Sequence, residues 1–196
     1  MNIPSVPHVV LDACVLMSGI VRRLCLRLAE AGLLAPLWTD RIAGEWQRNA
    51  ARIWAIAPER LQDEWRRMQQ AFPAADCGDT TAFEADLRYS DPKDWHVIAA
   101  ARAAQARGAG REVLIATWNL KDFNRSELRR MQLRALDPDR LLVRCWEHDA
   151  HATLRALAGM ADDAVALGGQ AEPMAQALRR ERLFRLARLA GGQPQP

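Results

Sequence analysis

His8-Val9-Val10-Leu11-Asp12-Ala13-Cys14-Val15-Leu16 is a nearly continuous apolar run with a single carboxylate inside it. Short runs rich in Val and Leu mark a parallel strand buried on both faces, so residues 8–16 are read as a strand. Ser18 and Gly19 break the run, residues 20–31 carry helical spacing, and Gly32 stands as the C-cap. A second short apolar run, 33–38, leads through Thr39 or Asp40 as N-cap into a helix over 41–55, and Pro58 opens another helix to 72. Asp91 caps a helix over 92–107 with Pro92 at its first position and Gly108 at its stop. Residues 112–117 read as another buried strand, Asn124 and Glu127 as a capping pattern for a short helix, and 133–136 as a last strand. Strand and helix alternate, which predicts an α/β fold: a parallel sheet flanked by helices.

From Pro138 onward only helices are expected, over 138–147, 148–158 and 173–190. The expected organisation is a catalytic α/β domain over 8–140, a helical C-terminal extension over 141–190 and a disordered tail over 191–196. With 196 residues, the chain can bury about 70% of the surface of its unfolded form in one core. No apolar run reaches the roughly 18 residues of a membrane span. The first ten residues carry no Lys or Arg and do not read as a secretory signal, so a cytoplasmic location is expected. Cys14, Cys25, Cys77 and Cys145 are scattered without C-x-x-C spacing, which argues against disulfides or a structural zinc site.

The net charge of +3 hides an uneven distribution. Residues 71–101 hold six acids against two bases, and residues 102–134 hold eight bases against three acids. An acidic locus beside a basic one suits a cation site next to a polyanion groove. Asp12 lies where a lone ionised carboxylate in apolar surroundings costs several kcal/mol without a partner. It also lies at the carboxyl end of a strand, where open α/β sheets bind ligands. Asp122 follows the strand at 112–117, with Thr117 and Asn119 just before it. Asp94 and Glu45, each in the first turns of a helix, read as ordinary helix-start acids when taken alone.

The ordered set Asp12, Glu45, Asp94 and Thr117-x-Asn119-x-x-Asp122-Phe123 resembles the PIN-domain family of ribonucleases, related to the PilT N-terminal domain. The resemblance spans residues 8–140 and is most specific in Asp91-Pro92-Lys93-Asp94-Trp95-His96-Val97-Ile98-Ala99-Ala100-Ala101 and in residues 117–123. It implies that Asp12, Asp94 and Asp122 hold one or two Mg²⁺ or Mn²⁺ ions. Glu45 is implied as an outer ligand or water-orienting base, and Thr117 and Asn119 as hydrogen-bonding supports. It further implies a metal-dependent endoribonuclease of the VapC-like toxin branch, whose partners are an RNA substrate, a small antitoxin protein and a second copy of the chain, with no membrane. A housekeeping or DNA-directed nuclease of the same fold and a module that binds without cutting stand as alternatives. In two places the chain departs from the family pattern. Cys14 stands where Asn or Ser is common and is expected to make no equivalent contact, and neutral Asn119 replaces a frequent Asp.

The chemistry is coherent without the family. Converging carboxylates raise one another's pKa unless a cation sits among them. Oxygen ligands without Cys or His favour Mg²⁺ or Mn²⁺ over Zn²⁺. Arg125, Arg129, Arg130 and Arg134 follow Asp122 and read equally as phosphate contacts or as a solvated helix face. Trp46, Trp95 and Trp118 neighbour the proposed site and are the candidates for substrate contact, whereas Trp38, Trp54, Trp65 and Trp146 read as core. His96 falls about 200° around an ideal helix from Asp94 and is not expected on its ligand face. His148 and His151 lack a third ligand for zinc. No Walker loop, G-x-G-x-x-G or G-x-S-x-G occurs.

Overall fold

The computed structural model describes residues 6–108 and 110–192. Four parallel strands, β1 (His8–Leu11), β2 (Ala35–Leu37), β3 (Val113–Ala116) and β4 (Arg134–Leu136), form one sheet in the order β2-β1-β3-β4. The central pair, β1 and β3, is almost entirely buried, as uninterrupted apolar runs require. Pro36 is tolerated in β2 because that strand lies at the sheet edge, where a missing N–H leaves no neighbour unpaired.

The first apolar run is strand only as far as Leu11. Ala13–Met17 turns into a short helix, α1, and Ser18 then caps α2 (Gly19–Glu30) by accepting from Val21 N at 3.1 Å. Thr39, rather than Asp40, caps α3 (Asp40–Trp54), with its hydroxyl accepting from Ile42 N at 3.3 Å. Helix α4 (Pro58–Ala71) follows. The helix expected over 92–107 starts as a 3₁₀ turn, Pro92–Asp94, before α5 (Trp95–Arg107). Asn124 caps α6 (Arg125–Arg130), accepting from Ser126 N and Glu127 N.

The C-terminal part holds α7 (Pro138–His148), α8 (Ala150–Ala158), α9 (Met160–Ala166), α10 (Met174–Arg180) and α11 (Phe184–Gly191). Helix α9 is not among the expected elements, and the single helix expected over 173–190 is two, broken at Glu181–Leu183 where Arg182 adopts a left-handed φ of 62°. Of the tail expected from 191, Gly191 closes α11 and Gly192 caps it; residues 193–196 lie outside the described residues. None of the described helices is long and apolar enough to cross a membrane.

The extension is tied to the sheet domain by burial and by two polar anchors. Leu178, Leu183 and Leu186 are fully buried. The buried Asp139 of α7 accepts from Arg185 N at 2.9 Å and Leu186 N at 3.0 Å, capping an α11 whose own N-cap residue, Leu183, has no side-chain acceptor. Ser18 Oγ donates to Glu181 Oε2 at 2.6 Å. At Gly19 an added Cβ would stand 2.7 Å from Leu167 Cδ1, so a side chain there would have to displace the exposed Leu167 at the end of α9.

Candidate active site

Each proposed acid reaches the same sheet edge by a different route. Asp12 immediately follows β1, and its N–H continues the ladder to Ala116 O of β3 at 3.1 Å. Asp122 ends a 3₁₀ turn shortly after β3. Helix α5 feeds into the start of β3, so its own start, with Asp94 at the N-cap, returns to the carboxyl edge of the strands. Glu45 rides on α3, whose start follows the carboxyl end of β2.

Asp12 is almost fully buried, and its charge is met by donors rather than by a cation side chain. Thr117 Oγ1 donates to its Oδ2 at 2.6 Å and Cys14 Sγ donates to the same oxygen at 3.0 Å. The Thr117 hydroxyl in turn accepts from Asn119 N at 3.0 Å, and Cys14 Sγ accepts from Trp118 N at 3.2 Å. Cys14 therefore does what a hydroxyl would do at that position, contrary to the expectation drawn from its thiol. Burial, with the Asp12 charge second, pushes that thiol up to about 12 and keeps the proton on sulfur.

Asp94 brings the acids together electrostatically. Its carboxyl is raised to about 6, first by burial and then by the charges of Asp12, Asp122, Glu45 and Asp91. Asp91, expected as a helix cap, does accept from Lys93 N at 3.0 Å, yet it also belongs to this field; its N–H donates to Asp122 O at 2.8 Å. Glu45 Oε2 lies 3.3 Å from His96 Nε2, and this His96 contact holds the Glu45 carboxyl below its usual value. The contact is close but not aligned as a hydrogen bond, and the buried His96 Nδ1 has no partner among the described residues. The ideal-helix angle does not anticipate this role because Asp94 lies outside α5, and the acid facing His96 comes from α3.

Among the described residues, no three His, Cys, Asp or Glu side chains stand close enough together to enclose a metal ion as they are placed. The donor set itself fits a hard divalent cation: it is all oxygen and all anionic, and Asp94, raised first by burial, is raised further by a repulsion that a cation would relieve. A cavity of about 360 Å³ between α3 and α4, lined by Asp40, Gly44, Gln47, Gln62, Trp65 and others, is lined by none of the four proposed acids.

The family model for the PIN domain matches residues 8–108, just over half of the chain. The chain belongs to the PIN-domain family. The match includes Asp12, Glu45, Asp91 and Asp94, and the remaining strands of this PIN domain, with Thr117, Asn119 and Asp122, follow it in the chain. PIN domains form a nuclease superfamily that typically uses divalent metals. No curated protein and no solved structure matches the chain.

The other candidates divide. Arg125, Arg129 and Arg130 of α6 are exposed, with Arg130 over the Tyr89 ring at 5.2 Å and Arg129 bonded to Ser126 Oγ. Trp95 is half-buried and its indole N–H donates to Ser90 O at 2.9 Å. Trp118 is half-buried, and the Arg182 guanidinium lies over its ring at 5.0 Å. Trp46 is a core residue, 1% exposed, packed under Arg22 and against Trp65, whereas Trp54 is 48% exposed at the end of α3.

Sequence spacing marks Glu127 only as the partner of Asn124. Its carboxylate instead turns away to accept from Arg88 N at 2.7 Å, Tyr89 N at 3.1 Å and Ser90 N at 2.8 Å. Burial alone would raise its pKa, but these donors prevail and hold it below the usual range. Asn124 N donates to Ser90 Oγ at 2.9 Å, so the segment just before Asp91 is clamped to the segment just after Asp122.

Proposed function

We propose that this PIN domain is a metal-dependent endoribonuclease acting in the cytoplasm as the toxin of a type II toxin-antitoxin pair. The observation that carries the reading is the gathering of acids at one sheet edge, with Asp12 buried at the end of β1 and held by Thr117 and Cys14, and with Asp94, raised first by burial, raised further by the charges of Asp12, Asp122, Glu45 and Asp91. Asp12 and Asp94 would hold Mg²⁺ or Mn²⁺, and Asp122 would hold it or its water. The cation would supply a water activated near neutral pH and neutralise charge growing on the phosphodiester. Thr117 and Cys14 fix the Asp12 carboxylate, and Asn119 fixes Thr117. Glu45, held below its usual pKa beside His96, would orient water or take its proton. Arg125, Arg129 and Arg130, exposed on α6, would meet backbone phosphates.

Purified protein and Asp12→Asn are compared on labelled RNA and DNA with Mg²⁺, Mn²⁺ or EDTA. RNA cleavage that needs metal and falls more than about 100-fold in the variant, beyond the usual loss from a supporting residue, is the expected result. Cleavage in EDTA, or equal cleavage by the variant, refutes the mechanism. Preferential cleavage of DNA refutes the ribonuclease assignment, and binding without cutting points to a non-catalytic module. The toxin role is tested in cells: expression is expected to arrest growth, and Asp94→Ala or co-expression of a small protein encoded beside this one is expected to relieve it. An arrest that survives Asp94→Ala is not nucleolytic.

A further inference from the structure

The break between α10 and α11 lies beside the acidic edge. Glu181 is held by Ser18, which directly follows α1 and hence Asp12, while Arg182 lies over Trp118, which stands between Thr117 and Asn119. The turn thus touches both strand-end segments that carry site residues.

Two of the arginines around the turn are paired, while Arg179 and Arg182 make no salt bridge among the described residues, and of these two it is Arg182 that stacks on a site-edge residue, Trp118. Arg180 pairs with Glu172 and Glu181, and Arg185 pairs with Asp137 and Asp139. Arg182 is exposed and makes no salt bridge or side-chain hydrogen bond among the described residues. Its backbone takes the left-handed conformation that L residues with long side chains seldom adopt, and buried Leu183 beside it fixes the turn. Stacking on an aromatic face uses the flat of a guanidinium and leaves its N–H edge available to an anion.

We infer that Arg182 is a substrate-positioning residue contributed by the C-terminal extension, taking a backbone phosphate of the strand that crosses the carboxylate edge. This rests on the nuclease reading. It gives the extension a part in substrate binding, and it makes Trp118 the shelf that aims the guanidinium rather than a free stacking surface.

The test measures binding of labelled single-stranded RNA by fluorescence anisotropy across a salt series, with Mg²⁺ and an Asp12→Asn background to prevent turnover. Adding Arg182→Gly suits the left-handed backbone and should leave Tm unchanged or higher. It is expected to weaken binding about 10-fold and to lower the slope of log Kd against log salt by about 0.7, as for one lost phosphate contact on a single strand. Arg182→Lys should restore the salt slope and part of the affinity. In the otherwise unsubstituted protein, Arg182→Gly should raise KM with kcat nearly unchanged, as loss of uniform binding does. Unchanged affinity and slope in Arg182→Gly, while the Asp12→Asn parent binds RNA, overturn the inference and leave the nuclease reading standing. A parent that binds no RNA, together with an unsubstituted chain that cleaves none, refutes the nuclease reading itself. Should Arg182→Gly melt early, Arg182→Gln takes its place in the same titrations: weaker binding with a lower slope supports the inference, and unchanged values overturn it.

Discussion

Replacing Asp94 with asparagine is expected to stabilise the metal-free protein at neutral pH. The wild-type carboxyl is raised from 3.8 to about 6 by burial and by the charges of Asp12, Asp122, Glu45 and Asp91. Each tenfold change in proton affinity carries about 1.4 kcal/mol, so an unscreened group would cost the fold at most about 3 kcal/mol when ionised. Asp94 is half-exposed, and solvent screening reduces this to about 1 kcal/mol. The sign follows from proton binding: between the unfolded and folded pKa values the folded state holds more protons, so wild-type stability falls as pH rises from about 4 to about 6. Asparagine has no such loss. Thermal melts in EDTA should show the variant about 2–4 °C higher at pH 7.5, and the two proteins nearly equal at pH 4. A variant less stable at pH 7.5, or a difference that does not change with pH, would refute the account of Asp94.

Saturating Mg²⁺ or Mn²⁺ should raise the wild-type Tm, with about 2.7 kcal/mol of added stability at 100 times Kd; no response, or an equal response in Asp94→Ala, counts against metal binding at this edge. Glu127→Ala leaves three backbone N–H groups without their acceptor and should lower stability by about 3 kcal/mol or more, with urea denaturation as the check. Asp139→Ala removes the remote cap of α11, should cost about 1–2 kcal/mol, and should speed proteolytic nicking between α9 and α10. Burial pushes Cys14, Cys25 and Cys145 up to about 12 and Cys77 to about 11, so a thiol-specific disulfide reagent at pH 8 should label the native chain slowly and the urea-unfolded chain completely. One rapidly labelled thiol per native chain would contradict that burial.

The sheet is legible in the sequence because its strands are compact apolar runs, and the caps at Thr39 and Asn124 because their acceptors lie two or three residues from the donors they serve. Local pattern fails where the partner is remote. Glu127 looks like a local capping residue, but its donors are 37 to 39 positions away, and Asp139 caps a helix 46 and 47 positions downstream. Local pattern also misplaces the tryptophans. Trp46 shares the inward stripe of α3 with Ile42, Ala43 and Ala50, while Trp54 sits at its last position, where Ala55 turns the chain away with a left-handed φ. The break at Arg182 carries neither glycine nor proline, the usual marks of a helix stop. The acids are recognisable as an ordered set. What spacing cannot supply is their mutual field, because that depends on α5 returning its first residues to the edge reached by β1.

The hydroxyl that steadies Asp12 is donated by a residue 105 positions later in the chain. During synthesis, Asp12, Glu45 and Asp94 therefore leave the ribosome well before the strand that lies against β1 on its β3 side, and Asp12 has neither its Thr117 donor nor the Ala116 carbonyl that anchors its backbone. The charged edge can close only after β3 is laid down, and the turn bearing Arg182 arrives later still. Order of emergence thus separates making the acids from aligning them: a prematurely terminated product carries Asp12, Glu45 and Asp94 but neither the strand nor the hydroxyl that holds Asp12.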